Sequence, residues 1–359
     1  MSITPAADGS GDVYVGGDFT TYNGAQAIRI VRLKANGTID PAFATGVGFN
    51  GSVQNIVPAG TVSGNVYVGG DFTTYNGIQE TRIVRLNANG AFDPAFATAT
   101  GFNNTVYSIA PVADGTGDLY VGGAFSTYNG IVVNSLVRLN ADGTVDPALV
   151  TGTGFNNTVF IVVPAADGSG DLYVGGAFTL YNGKQVNNLV RLNSDGTVDQ
   201  TFVTGTGFNN TVLTLVQADD GSGDLYVGGA FTNYIGTVAN DLVRLNSNGV
   251  IDPSFATGGG FNNTVFHVVP VGDGSGNVYV GGAFTSYNGQ EANQVVRLNK
   301  NGTLDLAFST GAGFSNTVFR VVPVGDGSGD VYVGGQFTQY QFTPIGRFTR
   351  LKSTGAFVR

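Results

Sequence analysis

Asp171-Leu172-Tyr173-Val174-Gly175-Gly176-Ala177-Phe178 is the stretch from which the rest of the chain is read. Its first half alternates like a half-buried β-strand, and Gly175-Gly176 then removes two side chains where a neighbouring layer can press close. The same phrase recurs around Tyr14, Tyr67, Tyr120, Tyr173, Tyr226, Tyr279 and Tyr332, each step being 53 residues with no insertion. A fixed period of this length marks an architecture of stacked, equivalent units, and seven of them account for nearly all of the 359 residues.

The third unit can be read in order. Strand A, Thr105-Val106-Tyr107-Ser108-Ile109-Ala110-Pro111, is short and mostly apolar, as in strands buried on both faces. Asp114-Gly115-Thr116-Gly117 turns the chain into strand B, Asp118 to Ser126, which ends at Tyr128-Asn129-Gly130. A loose segment, Ile131 to Asn134, leads to strand C, Leu136 to Asn140. Asp142-Gly143 then predicts a two-residue type I′ turn, both central residues at positive φ, into strand D, Thr144 to Leu149. The proline after Asp40 and Asp93 cannot donate to a ladder, so D is the outer strand and A the inner one.

Four antiparallel strands per 53-residue repeat predict an all-β fold, a seven-bladed β-propeller. A parallel β-helix would have shorter coils and no hairpins. The blades run over 1–51, 52–104, 105–157, 158–210, 211–263, 264–316 and 317–359, as one β-propeller domain over 1–359. In this frame blade seven ends at Arg359 within strand D and blade one begins within strand A. The ring is then expected to close by packing of blade faces, as a monomer, with no strand shared between the termini.

The phrases Asp171 to Thr179, Tyr181-Asn182-Gly183, Leu189-Val190-Arg191-Leu192-Asn193, Asp195-Gly196-Thr197-Val198-Asp199 and Gly207-Phe208-Asn209-Asn210-Thr211-Val212 resemble the bacterial delta-sixty propeller repeat, and more loosely NHL and SMP-type propellers. The resemblance covers all seven copies. It implies a propeller of the kind found mainly in large bacterial surface or secreted proteins, and it carries over no general catalytic residues. One departure is the A–B turn, usually a short Asp-Gly-Lys in that family and here the longer Asp-Gly-Ser-Gly.

Composition narrows the function classes. A hydrophobic content of 42% is ample for a core, so the 57 glycines belong to turns and close packing rather than to disorder. A net charge of −9 argues against nucleic acid, which needs a basic surface. There is no cysteine, hence no disulfide or thiolate chemistry. No apolar run approaches the ~20 residues of a membrane span, so no membrane insertion is expected. Met1-Ser2-Ile3-Thr4-Pro5 does not read as a signal peptide; it aligns with Tyr107 to Pro111, inside a repeat strand, which predicts either a trimmed start or a piece of a longer parent.

Catalytic groups are few: His267 is the only histidine, and Glu80 and Glu291 are the only glutamates. A Ser-His-Asp arrangement would have to use His267, which has no acidic neighbour in sequence. The SMP-type resemblance would imply a metal-dependent lactonase, but that activity needs a glutamate at the channel mouth and no strand A carries one. The chain is therefore read as non-enzymatic.

Calcium is the one cofactor that the spacing raises, because Asp167-Gly168-Ser169-Gly170-Asp171 places oxygens at positions one, three and five. Related turns start at Asp8, Asp114, Asp220, Asp273 and Asp326, whereas the second, Gly60-Thr61-Val62-Ser63-Gly64-Asn65, lacks the leading acid. The competing reading is a hairpin turn held by Asx bonding, with no cofactor bound. Arg32, Arg85, Arg138, Arg191, Arg244, Arg297 and Arg350 form a column on strand C. It is read as structural, each guanidinium tying an Asp such as Asp40 or Asp146. Tyr22-Asn23-Gly24 and its copies are weighed as sugar-stacking platforms or as blade-edge packing. The sequons Asn103-Asn104-Thr105 and Asn156-Asn157-Thr158 are read as blade-linking turns.

Repeats are most informative where they differ. The B–C loops vary, as in Ile78-Gln79-Glu80-Thr81-Arg82 and Gln290-Glu291-Ala292-Asn293-Gln294. A second varied column opens strand A: Ser2, Asn55, Ser108, Ile161, Thr214, His267 and Arg320. Both lie at one end of an antiparallel blade. The expected ligand-binding residues on that face are Asn55, His267, Arg320, Glu80, Arg82 and Glu291, and no metal ligand is assigned. The resulting expectation is a rigid binding or structural scaffold on a bacterial, extracellular or virion surface, with a protein or glycan surface as partner. A multivalent lectin and a calcium-stabilised disc are the alternatives.

Overall fold

A computed structural model describes residues 1–60 and 64–358. Thr61, Val62 and Ser63 of the second A–B turn, and Arg359 at the expected end of blade seven, lie outside the described residues. The described residues form seven three-stranded antiparallel sheets and seven two-stranded ones, with no helix. The propeller reading holds: each three-stranded sheet is one blade, in the spatial order A-B-C.

In the third blade strand A is Val106–Pro111, strand B is Leu119–Gly123 and strand C is Leu136–Leu139. Every residue of strand B is buried, because it is covered by a blade on either face. Strand A was expected to be the doubly buried one. It instead leaves Tyr107 half-buried, since one side of it looks onto the central axis. The two glycines do different jobs. A Cβ on Gly122 would lie 2.6 Å from Cγ1 of Val159 and 2.9 Å from Cγ2 of Val162, so the first glycine admits the inner strand of the next blade. A Cβ on Gly123 would strike the carbonyl oxygen of Thr105 and the ring of Phe125, so the second admits the blade's own entry loop.

The hydrophobic core lies between blades. Tyr120, Leu136, Leu149 and Phe155 pack with Val159, Leu172, Val174 and Phe178 of the following repeat. Each fully buried side chain of this size contributes about 1.5–3 kcal/mol. The same face-on-face packing joins Val322, Val324, Tyr332 and Phe348 to Ile3, Val13, Val15 and Val31. Blade seven therefore meets blade one through side chains, and among the described residues no sheet contains strands of both.

Three local expectations are corrected. The fourth strand is reduced to a single bridge, Leu139 with Val145 in blade three, after which Asp146 turns the chain by accepting a bond from the Ala148 N–H at 2.8 Å. Pro147 supplies no donor to continue a ladder there. The C–D turn is not type I′: Gly143 has φ 90° but Asp142 is not at positive φ. The Gly143 N–H reaches the Asn140 carbonyl at 2.9 Å and the Asn140 N–H reaches the Thr144 carbonyl at 2.8 Å. Together these make a type I turn with a glycine bulge. The I′ geometry occurs instead at Asn129 (φ 50°) and Gly130 (φ 79°). There it closes a separate hairpin of Thr127–Tyr128 with Ile131–Val132, so strand B is interrupted after Gly123.

Candidate functional site

On the A–B side of the disc the strand C arginines organise the acidic turns. Arg244 reaches Asp220 at 2.7 Å, Asp224 at 2.9 Å and Asp252 at 3.3 Å, and donates to the Tyr226 hydroxyl at 3.1 Å. Its guanidinium carbon lies 5.3 Å from the Tyr226 ring centroid. The carboxylates at the first and fifth turn positions are thus held by a guanidinium. Asp167, bonded by the Ser169 hydroxyl and backbone and by Arg191, titrates low at about 2. Blades two and six carry Asn65 and Asn277 where the others have the second Asp. There Arg85 and Arg297 keep one carboxylate each, Asp93 and Asp305, and donate to a carbonyl of the next blade, Ala141 and Ser353, both at 3.0 Å. Among the described residues no group of three or more His, Asp or Glu side chains is placed to hold a metal ion.

The opposite side carries the B–C hairpins and the mouth of the axis. Six of the Tyr-Asn-Gly-type tyrosines are buried: Tyr75, Tyr128, Tyr181, Tyr234, Tyr287 and Tyr340. Their hydroxyls donate to the turn glycine fifteen residues on, as Tyr181 does to the Gly196 carbonyl at 2.6 Å. They are closed to sugar stacking, and their hydroxyls are not at the surface. The sequon asparagines do link blades: Asn103 Oδ1 accepts from the N–H groups of Ser126 and Thr127 at 2.9 and 3.1 Å.

The six expected binding residues have different surroundings. Asn55 and His267 are half-buried inter-blade struts. Asn55 Oδ1 accepts from Ile109 N–H at 3.0 Å and His267 Nδ1 from Val321 N–H at 3.4 Å. Ser2 and Ser108 do the same for Ile56 and Val162. Burial, with Arg320 nearby, pushes the His267 imidazole well below its usual range and keeps it neutral. Arg320 donates Nε to the Met1 carbonyl at 3.3 Å, and burial lowers it to about 10. Glu80, expected on the loop surface, is buried. It is 7% exposed, within 3.4 Å of the Thr98 hydroxyl, in a column otherwise held by small apolar residues such as Ala27, Val133 and Ala292. Arg82 lines a cleft of about 580 Å³ between blades two and three, with Thr81, Phe102 and Asn103. Glu291 is exposed and accepts from Asn293 Nδ2 at 2.7 Å.

The sequence reading passed over two features of this face. The first is an axial rosette, one residue per blade: Met1, Gln54, Tyr107, Phe160, Leu213, Phe266 and Phe319, bounding with Arg320 a cavity of about 360 Å³. In blades two to seven this residue sits in a β-bulge, as Tyr107 does between Val106 and Ser108, and the bulge aims it at the axis. Phe266 and Phe319 meet edge to face at 5.3 Å. The position recurs with the period, but its aim at the axis is set by the bulge. The second is an apolar rim. Eight of the twelve exposed large hydrophobic residues among those described lie on this side: Val47, Ile78, Ile131, Val132, Leu180, Ile235, Val238 and Phe342. Ile235 and Phe342 also sit at positive φ, 49° and 64°, which bulky residues adopt at a cost.

Known structures share this architecture. The extracellular domain of a hybrid two-component system from B. thetaiotaomicron superposes with a TM-score of 0.54 at 14% identity, over 93% of this chain and 38% of that one. The GH74 enzyme of Niastella koreensis does so with a TM-score of 0.51 at 18% identity, over 92% and 50%. Saccharomyces cerevisiae Sqt1 gives 0.55 at 12% identity, over 93% and 92%. The chain thus spans half or less of the first two, and at these identities the likeness is one of fold. No curated protein matches the sequence. Residues 9–43, 63–96, 115–148, 168–202, 221–255 and 274–308, more than half of the chain, each match one family, and the protein belongs to it: the β-propeller repeats described as a domain of unknown function, DUF5122.

Proposed function

We propose that this propeller is a non-catalytic binding or structural scaffold module of a bacterial or virion surface protein, recognising a protein partner through its B–C face. The observation that carries the reading is the apolar rim: exposed Ile131, Val132, Val238 and Phe342 stand on hairpin tips, presented by a rigid ring. Exposed apolar side chains grouped on one face mark interaction surfaces more than scattered ones do. The strained Phe342 and Ile235 add to this, since backbone strain is retained mainly where a function uses it. The resemblance to delta-sixty repeats and the fold shared with an extracellular domain support an extracellular setting. No helix of the described residues is long and apolar enough to cross a membrane. A non-enzymatic role fits a neutral His267 engaged as a backbone acceptor, with Glu80 and Glu291 on different blades.

The chain has no cysteine, so one introduced thiol sets its orientation on a surface. Ser194→Cys, in an exposed C–D turn, leaves the B–C face free, whereas Gln185→Cys in a B–C hairpin hides it. Arrays of proteins and of glycans are probed in both orientations. Protein ligands retained only by the Ser194→Cys surface are expected. Retention by the Gln185→Cys surface alone would refute the face assignment, and glycan ligands alone would favour the lectin alternative.

A further inference from the structure

Most of the column that opens strand A ties one blade to the next. Asn55, Thr214 and His267 each accept a bond from a backbone N–H of the following blade, as Ser2 and Ser108 do. A guanidinium has five N–H donors and no acceptor, so Arg320 cannot fill that role. Its Nε donates to the Met1 carbonyl at 3.3 Å, and neither Nη group forms a hydrogen bond among the described residues. Nor does it have a carboxylate partner among them, whereas every strand C arginine has at least one. In a chain of net charge −9, Arg320 is thus a desolvated cation without a counter-ion. Such a group is costly to bury unless something of opposite charge meets it.

What Arg320 faces is mostly apolar. It lines the axial cavity of about 360 Å³ beside Phe319 of its own blade. Phe266 of blade six stands edge to face with Phe319 at 5.3 Å, and across the axis Tyr107 and Phe160 pair at 5.0 Å. Leu213 of blade five continues the wall between Phe160 and Phe266. All five side chains are half-buried, and they bound the same space. A bulge at each of these positions gives up ladder pairing and aims the side chain at the channel.

We propose that the axial cavity binds a small aromatic carboxylate, held by Arg320. The carboxylate accepts from the Nη groups, in the two-pronged pairing that a guanidinium favours. The ring of the ligand packs against Tyr107, Phe160 and Phe266. One uncompensated cation matches one negative charge, which favours a carboxylate over a phosphate dianion. A volume near the lower end for small-molecule pockets favours a single ring over a longer chain. A mostly apolar wall with one placed polar group is the make-up of such sites. The cavity is separate from the hairpin tips, and its ligand does not depend on the protein partner proposed for them.

His267 is the only histidine and feels the charge of Arg320, so its ring resonances report on the cavity. The test titrates the full chain with benzoate, phenylacetate and 3-phenylpropionate, and alongside them with a short peptide ending in phenylalanine. Calorimetry measures affinity while NMR follows the His267 signals. Saturable one-to-one binding of at least one acid is expected, with the His267 signals moving in step. The matching alcohol, 3-phenylpropanol for 3-phenylpropionate, should bind about tenfold or more weakly, as should the acid to Arg320→Met. The alcohol leaves the protein unchanged, so a folding defect in the variant does not decide the result. Failure of all three acids to saturate, equal binding of acid and alcohol, unchanged affinity of a folded Arg320→Met, or binding that leaves His267 unmoved would overturn the proposal. So would tighter binding of the peptide than of any free acid, which would make a polypeptide terminus the occupant.

Discussion

Arg244→Ala tests whether the strand C arginines hold the blades together. Only 5% of the Arg244 side chain is exposed, and Asp220, Asp224 and Asp252 are 20%, 10% and 10% exposed. Removing one partner of a buried, hydrogen-bonded ion cluster costs about 3–5 kcal/mol, because the remaining charges stay desolvated. Three carboxylates would be left facing one another, and the Tyr226 ring would lose its cation. Arg350 supplies an internal scale. Its side chain is 24% exposed and its partners Asp326 and Asp330 are 41% and 14% exposed, so Arg350→Ala should cost less, about 1–2 kcal/mol. Equilibrium urea unfolding of both variants, followed by circular dichroism, measures the difference, provided the slope against denaturant is unchanged. Arg244→Lys should fall between, keeping the charge and losing the planar fork. A cost below about 1 kcal/mol for Arg244→Ala, or equal costs at both positions, would refute the reasoning.

Further outcomes follow from single features. Phe342, 82% exposed at φ 64°, occupies a turn position that all six other repeats give to glycine. Phe342→Gly should therefore stabilise by about 1 kcal/mol in the same unfolding assay, and would remove part of the proposed binding rim. Burial raises the Asp241 carboxyl to about 7. The folded state then keeps a proton between pH 4 and 7 that the unfolded chain has lost, so the associated stability is lost as pH rises through 7. Asp241→Asn should be more stable than the parent at pH 8 by several degrees in Tm, with the gap closing towards pH 4. The Asn side chain can adopt the bond that Asn188 Nδ2 makes to the Gly176 carbonyl at 2.9 Å. If the Asp-Gly-Ser-Gly-Asp turns are held by arginine alone, EDTA should leave Tm unchanged. A calcium site filled at 100 times its dissociation constant would shift stability by about 2.7 kcal/mol, which thermal melting would detect.

Much of the propeller is written locally. The turn glycines at fixed offsets are satisfied by residues near in sequence, and the Gly-Gly pair, whose first glycine meets the next blade, recurs at the same place in every 53-residue period, so both survive a reading along the chain. The I′ signal was also present, but Asn-Gly and Asp-Gly occur up to three times per repeat, as at Asp114-Gly115, Asn129-Gly130 and Asp142-Gly143. Backbone φ at the residue before glycine decides between them: Asn129 is at 50° and Asp142 is not positive.

What only the tertiary structure decided is which side of each repeated residue meets a neighbour. Glu80 reads as a loop acid until its column is seen to face a blade interior, and Asn55 and His267 read as ligands until they are found bonded to the next blade's backbone. The axial rosette depends on bulges that re-aim one residue per strand A, and a bulge leaves no residue-type signature in sequence. Residues 16–24 and 69–77 are the limiting case: identical in sequence, they differ in burial because only the second set is covered by a Phe49-bearing segment. The period determines the blade, but exposure at a seam is a property of two blades together, and no single repeat contains it.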